Sequence, residues 1–391
     1  MVNRVDRLIE YVKGIHKGLD GRQLYLKYRE DIEKVKPQEA FEIFHSLLLE
    51  GTEAKEILEF LDKVINVFYK SLSSYKWEAP KEYKFLSELI LENKALQKRT
   101  DKIKGLLLGG HSSNQIKDTL LPMVEELQDI NHHYLKKENI LFPYLEKTME
   151  KYKGLSIMWA LHDEVKVKIK KTIDLLTKEN IEEVELNQSI GNLFFAILGV
   201  LKKEELILFP SAVETLSPDD WQDMYQQGLE YQLSFLGERK EKEETVKKDS
   251  FDTLEYSHNI FKTETGSLTF QQMLMIFNAL PVDLTFVDEH NKVRFFTRPK
   301  ERIFPRSPAI IGRDVKNCHP PASVHIVEEI ITSFRNNEKD STMFWIQAKD
   351  SMILIQYFAL RDGKGNYRGT LEVSQDITEI RKLKGEKRIF S

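Results

Sequence analysis

The chain has 391 residues, which is enough for two or three domains of ordinary size. Its 58 lysine and arginine residues nearly balance 62 aspartate and glutamate residues, and a net charge of −4 provides no basic field that would hold nucleic acid. The single cysteine, Cys318, excludes a disulfide within the chain, and the N-terminus lacks the apolar core of a signal peptide. No stretch approaches the roughly 20 apolar residues that cross a bilayer. We therefore predict a cytoplasmic protein that binds neither nucleic acid nor membrane.

Residues 1–75 repeat apolar side chains at helical spacing, as at Leu8 and Val12. Pro37 and Gly51 stand where one helix should end and the next begin. This pattern predicts a small all-α N-terminal domain of three or four short helices. Its function is not indicated by any motif.

Residues 78–220 continue the helical period in four longer blocks, which predicts a four-helix bundle. Two of its segments resemble each other, KENILFPYLE at 137–146 and KEELILFPSAVE at 203–214. An internal duplication of helical hairpins would explain the likeness and would make Glu138 equivalent to Glu205. The four blocks are 80–109, 113–150, 155–178 and 185–215.

Residues 221–262 are predicted to form a linker that is helical at first and then highly charged. After this linker, apolar side chains recur at every second residue, as in β-strands. Over 263–385 five segments alternate as strands, and the turn in RDGKGNYRG joins the last two as a hairpin. Thr269 and Gln272 form a candidate capping box for the helix before the first strand. The sequence therefore predicts an α+β domain at the C-terminal end.

Histidines and carboxylates interrupt the apolar pattern of the bundle helices. Iron-carboxylate sites in bundles need such side chains to project inward from facing helices. His133 and Glu138 are five residues apart, so on an ideal helix they lie about 140° from each other. Val200 stands four residues before Glu204, where a His-x-x-x-Glu pair would have its histidine. The candidate residues are His132, His133, Glu138, His162, Asp163, Glu164, Glu204 and Glu205.

Three runs in the bundle resemble the hemerythrin HHE cation-binding family: HHYLKKENILFPYLE at 132–146, MWALHDEVK at 158–166 and KKEELILFPSAVETLSPDDW at 202–221. The whole chain is similar to an architecture in which a small helical domain of unknown function precedes this bundle and a C-terminal PAS domain. NCHPPASVHIVEEI at 317–330 and LEVSQDITEIRKL at 371–383 carry the PAS resemblance. It implies a five-stranded antiparallel sheet for the last domain.

The hemerythrin resemblance implies non-heme iron, mononuclear or dinuclear, that senses oxygen, nitric oxide or redox state. The sequence departs from the family pattern because the first bundle helix has no histidine and Lys137 and Val200 occupy expected ligand positions. Hydrogen-bonded pairs and a metal-free bundle therefore stay open as alternatives. The metal ligands that the resemblance implies are His133, Glu138, His162 and Glu204.

A PAS domain can hold heme, flavin or a small metabolite, or nothing, under its helices. Cys318 and His319 precede two prolines, so they lie on a stiff, extended loop. Thiolate and imidazole are good ligands for heme or another metal, and we take both residues as candidate cofactor-binding residues. The alternative is that they only pack at the start of the following helix.

We favour a sensor or signal-coupling protein over an enzyme, because no P-loop, nucleophile elbow or dinucleotide-binding glycine pattern is present. A diatomic gas or small molecule would be its ligand. No output domain follows the PAS sequence, so we expect the signal to go to a separate output protein or to feed back on the bundle. PAS domains with their flanking helices can form a homodimer. The alternatives are a non-heme iron oxidoreductase or oxygen-handling protein, and a metal-free scaffold whose PAS domain binds heme or a small molecule.

Overall fold

The computed structural model of the protein describes residues 3–109, 112–148, 154–239, 260–299, 302–348 and 350–386. The chain divides near residue 243 into two compact units, and each unit is described by itself. The first is all-α and the second contains the β-sheet, so the predicted fold class is confirmed. Among the described helices, none is long and apolar enough to cross a membrane.

Four helices form the N-terminal part of the first unit. Helix α4 buries Ile57, Leu61, Val64 and Phe68, whose spacing places them on one helical face. That face belongs to a hydrophobic core shared with the bundle, because Met158 and Ile207 pack in the same cluster. The domain boundary near residue 75 stays a prediction. The helices are α1 (Arg4–His16), α2 (Gly21–Ile32), α3 (Pro37–Leu49) and α4 (Ala54–Ser74).

The bundle follows the predicted blocks, with a further short helix after them. Its second and fourth long segments each change from α-helix to π-helix and back. The α-helices are α5 (Lys84–Leu107), α6 (Ser113–Glu126), α7 (Ile130–Lys136), α8 (Phe142–Thr148), α9 (Ser156–Leu176), α10 (Glu183–Lys203), α11 (Phe209–Thr215) and α12 (Pro218–Gly228). A 3₁₀ turn at Leu127–Asp129 joins α6 to α7, and the π-helices are π1 (Lys137–Leu141) and π2 (Glu204–Leu208).

The two π-helices have a common cause in the sequence. Each is followed at once by Phe-Pro, with Pro143 after π1 and Pro210 after π2. Proline has no backbone N–H to donate, and its ring would clash with the carbonyl four residues earlier in a regular α-helix. A wider turn removes this clash and is common at functional sites. The repeat seen in the sequence therefore places Lys137 and Glu204 at equivalent positions at the start of the two π-helices.

In its described residues, the second unit has a five-stranded antiparallel sheet, two α-helices and a small hairpin. The order in the sheet is β4-β3-β7-β6-β5, and a separate hairpin pairs β1 with β2. Thr269 and Gln272 form the predicted capping box of α13. The elements are β1 (Ile260–Thr263), β2 (Gly266–Thr269), α13 (Phe270–Ala279), β3 (Asp283–Asp288), β4 (Val293–Phe296), α14 (Pro321–Arg335), β5 (Ser341–Ala348), β6 (Ser351–Arg361) and β7 (Tyr367–Asp376).

The inner face of this sheet is polar at its centre. The buried residues of β7 are Gly369, Thr370, Glu372 and Ser374, whereas the apolar core is built largely from residues outside this strand. Buried polar side chains cost free energy unless they find partners. The partners of Glu372 therefore define a candidate site in this domain.

Candidate functional site

The four predicted metal ligands all lie in the core of the bundle, where none is more than 2% exposed. His133 is on α7, Glu138 on π1, His162 on α9 and Glu204 on π2. The wide turn of π1 allows Glu138 to be buried together with His133 despite their five-residue spacing. The other sequence candidates, His132, Asp163, Glu164 and Glu205, are partly or fully exposed.

Glu204 is the centre of this cluster. Lys137 forms a buried ion pair with its Oε1 atom, and Asn93 Nδ2 donates a 2.8 Å hydrogen bond to Oε2. Nε2 of His133 lies 3.4 Å from Oε2, and Nε2 of His162 lies 3.8 Å from Oε1. Burial alone would raise the pKa of Glu204, but the charge of Lys137 and the two imidazoles hold it well below its ordinary value of 4.5.

Glu92 on α5 holds the other side of His133. The imidazole of His133 donates through Nδ1 to Glu92 at 2.7 Å, and Lys136 forms a buried ion pair with the same carboxylate. The backbone N–H of Ser234 donates to it at 2.6 Å. Burial would raise the pKa of Glu92, but His133 and Lys136 outweigh it and lower the pKa.

Sequence reasoning missed Glu92 because it looked for histidine on α5. A signal was present, since Glu92 lies between Leu89 and Leu96 at the spacing of the buried helical face. A carboxylate at such a position must be paired.

Glu138 pairs with His162 in the same way. Nδ1 of His162 donates to Glu138 at 2.7 Å, and Lys166 Nζ lies 3.8 Å from the same oxygen. The ring of Tyr134 stacks on His162 with centroids 3.8 Å apart. Burial first, and then the charge of Lys137, lower the pKa of His162 below its ordinary value of 6.5, so this imidazole is neutral near pH 7.

The donor set does not fit a hemerythrin-type iron centre. Glu92, Glu138 and Glu204 are each already paired with an ammonium or imidazole of the protein. Val200, which stands where a His-x-x-x-Glu pair ending at Glu204 would have its histidine, is apolar and buried. Within the described ranges, no group of three or more His, Cys, Asp or Glu side chains is arranged to hold a metal ion. The ligand roles of His133, Glu138, His162 and Glu204 stay a prediction.

A second polar cluster lies on the inner face of the β-sheet, where Glu372 is buried and Arg306 and Tyr357 are partly buried. Arg306 Nη2 donates to both carboxylate oxygens of Glu372, at 3.0 and 3.3 Å. Tyr357 stands directly opposite Glu372 in the β6–β7 register, and burial and then the charge of Glu372 raise its pKa. Arg306 Nε is buried and finds no hydrogen-bond acceptor in the described part of the chain. The cluster therefore contains an N–H group, Arg306 Nε, that could donate a hydrogen bond to a ligand.

The predicted cofactor residues Cys318 and His319 lie beside this cluster. Cys318 ends a short 3₁₀ turn, and its thiol donates weakly to the carbonyl of Asp314 at 3.7 Å. His319 has extended backbone, as the following prolines predict. Burial lowers the pKa of His319; Glu372 opposes this shift and Arg306 adds to it. Arg306 is also within electrostatic reach of Cys318. The sequence located this loop but not its partners Arg306 and Glu372.

Comparison with known families agrees with both parts of the fold. The family model described as hemerythrin HHE cation binding domain matches residues 85–214, and the model described as PAS domain matches residues 273–378. Together the two matches support a sensor-type protein. No curated protein matches the chain.

Solved structures that resemble the chain each cover a third of it or less. One is the C-terminal domain of a protein from Streptococcus mutans, 30% identical, covering 33% of this chain and 99% of that one, with a TM-score of 0.31. Another is the PAS domain of a protein from Colwellia psychrerythraea, 20% identical, covering 28% and 97%, with a TM-score of 0.23. A sensory box sensor histidine kinase from Vibrio cholerae is 13% identical, covering 27% and 89%, with a TM-score of 0.22.

Proposed function

Because this chain carries a hemerythrin HHE cation-binding domain followed by a PAS domain, we propose that it is a sensor-type signal-coupling protein whose ligand binds inside the PAS domain. The observation that carries the proposal is the polar cluster of buried Glu372 with the partly buried Arg306, Tyr357 and His319. A PAS interior that only had to pack would be expected to be apolar, since each buried polar group costs free energy.

The chemistry of the cluster favours a small molecule that bears a carboxylate. Arg306 has an unused Nε donor, and guanidinium groups recognise carboxylates by paired hydrogen bonds. The neutral imidazole of His319 and the phenol of Tyr357 add groups that can donate hydrogen bonds nearby. A few converging polar groups of this kind are typical of ligand sites.

Signalling requires the ligand to bind one conformation of the domain better than another. In the proposal, the carboxylate competes with Glu372 for Arg306, and a change in this pair shifts the central strand β7 or the loop before α14. A separate output protein would then read the change. The sensing role is assigned to the PAS domain rather than to bundle iron because the bundle carboxylates already have protein partners.

The proposal is tested by thermal unfolding of the full-length protein with acetate, pyruvate, succinate, citrate and benzoate as probes. We expect at least one acid to raise the unfolding midpoint of the wild type, and this shift to be lost in Arg306→Gln. Arg294→Gln is the matched control, because Arg294 pairs with Asp288 on the same domain but its side chain is 57% exposed. The control should keep the shift.

A hemin titration of the same protein distinguishes binding of a carboxylate from the alternative that the PAS domain binds heme. A Soret band that is lost in His319→Ala would assign the site to heme and contradict the carboxylate proposal. The absence of any acid-dependent shift in the wild type, or an equal shift in Arg306→Gln, would also contradict it.

A further inference from the structure

The bundle contains two equivalent five-residue frames, and each has only one of the two residues of a His-x-x-x-Glu pair. The first frame runs from His133 to Lys137 and the second from Val200 to Glu204. Both end on the first residue of a π-helix, and both are followed by the same Ile-Leu-Phe-Pro sequence. The repeat therefore places an ammonium and a carboxylate at corresponding positions on two facing segments.

These two groups bind each other in the centre of the bundle. Lys137 and Glu204 form an ion pair in which both side chains are fully buried. A buried lysine is tolerated only when its charge is paired. The positive charge of Lys137 therefore occupies the place at which the two frames converge.

The side chains around this pair keep the arrangement expected around a metal. A histidine that binds a metal usually donates its other ring N–H to a carboxylate. Here His133 donates through Nδ1 to Glu92 and His162 donates through Nδ1 to Glu138. The Nε2 atoms of both rings face Glu204, at 3.4 and 3.8 Å. The outer carboxylates thus orient both imidazoles toward the centre that Lys137 fills.

We propose that the ammonium group of Lys137 is a built-in replacement for the metal cation, so that the bundle folds and works with a fixed internal charge and does not need iron. Val200 is part of the same replacement, because a buried apolar side chain stands where the second frame would have its metal-binding histidine. This inference concerns the bundle alone and goes beyond the ligand proposed for the PAS domain. Its failure would remove the reason for preferring the PAS domain over the bundle as the sensing site, whereas the acid titration tests the PAS ligand independently.

The first test is a titration of the purified full-length wild type with Co²⁺ and with Fe²⁺ under anaerobic conditions. We expect no visible d–d absorption from cobalt, no retained iron after gel filtration and no shift of the unfolding midpoint of the bundle. Uptake of at least one equivalent of either metal by the wild type, with loss of uptake in Glu204→Gln, would overturn the proposal.

The second test restores both frames with the double variant Lys137→Glu, Val200→His. This change recreates His-x-x-x-Glu in each frame and leaves the outer carboxylates Glu92 and Glu138 in place. We expect the variant to bind Co²⁺ with visible d–d absorption and to gain thermal stability on binding. Val200→His alone is the matched control, and it should stay colourless because Lys137 still holds Glu204. A folded double variant that binds no cobalt would contradict the proposed arrangement.

The third test does not depend on the double variant folding. Lys137→Met leaves Glu204 buried without its counter-charge, and we expect its unfolding midpoint to fall by roughly 10 °C. Lys137→Met, Glu204→Gln removes both charges and should recover most of that loss. If Lys137→Met is as stable as the wild type, the internal-cation role is wrong.

Discussion

At the scale of the single residue, Tyr134 is a buried side chain whose polar group is not compensated by a hydrogen bond. Its ring is buried and stacks on His162, but its hydroxyl has no hydrogen-bond partner among the described residues. Burial, and then the charges of Glu204 and Glu138, raise the pKa of Tyr134 well above its ordinary value, so the hydroxyl stays protonated. An unsatisfied buried hydroxyl costs free energy that a phenyl ring would not.

We therefore predict that Tyr134→Phe changes the free energy of unfolding by less than about 0.5 kcal/mol or increases it. Urea unfolding of the full-length protein measures this. Tyr28→Phe is the matched control, because Tyr28 is also buried but donates to Glu10 at 2.9 Å. That control should lose about 0.5–1.5 kcal/mol. A larger loss for Tyr134→Phe than for Tyr28→Phe would contradict the prediction.

At the scale of the element, the β6–β7 hairpin depends on the carboxylate of Asp362. Its oxygens accept hydrogen bonds from the backbone N–H groups of Lys364 and Asn366, and from the side chains of Asn366 and Arg368. These interactions, with Asn366 first, lower the pKa of Asp362 from 3.8 to about 2. Because the native carboxylate resists protonation, its contribution to stability is complete above pH 3.8 and is lost as the pH falls toward about 2.

We predict that Asp362→Ala is less stable than the wild type at neutral pH and that the difference shrinks as the pH falls below 3.8. Thermal unfolding of both proteins, from neutral pH to the acid limit of reversible unfolding, measures it. Asp362→Asn keeps an acceptor for the two backbone N–H groups but cannot ionise. It should therefore lose only the pH-dependent part of the stability that Asp362 contributes. A difference between wild type and Asp362→Ala that does not change with pH would show that the charge is unimportant.

The elements were predictable from the sequence because their signals are local. The helical spacing of apolar residues predicted the helices of the bundle, and the alternation of apolar and polar residues predicted the strands of the sheet. The same period marked His133 and His162 as polar residues on apolar faces, which is why they were candidates. Their partners depend on which residues meet across the bundle, and Glu92 lies 41 residues before His133 in the chain. A local pattern carries no information on that pairing, nor on whether Lys137 reaches a carboxylate or solvent.

At the scale of the whole molecule, the N-terminal helices and the bundle are joined by more than apolar contact. Lys203 is 5% exposed at the end of α10, and its ammonium pairs with Asp62 on α4 at 2.5 Å. The only other acceptor described for it is the carbonyl of Gly199, at 3.3 Å. The Asp62 carboxylate is 37% exposed, so solvent screens part of the interaction.

We predict that Asp62→Ala destabilises the N-terminal helices and the bundle together, by about 1–3 kcal/mol, because it leaves a buried ammonium without its counter-charge. Hydrogen exchange should show equal loss of protection in 54–74 and 183–203, since both segments contribute to one core. The double variant Asp62→Ala, Lys203→Met removes the stranded charge and should recover most of the loss. Loss of protection confined to 54–74 would instead mean that the small N-terminal domain, predicted to end near residue 75, unfolds independently of the bundle on which it packs.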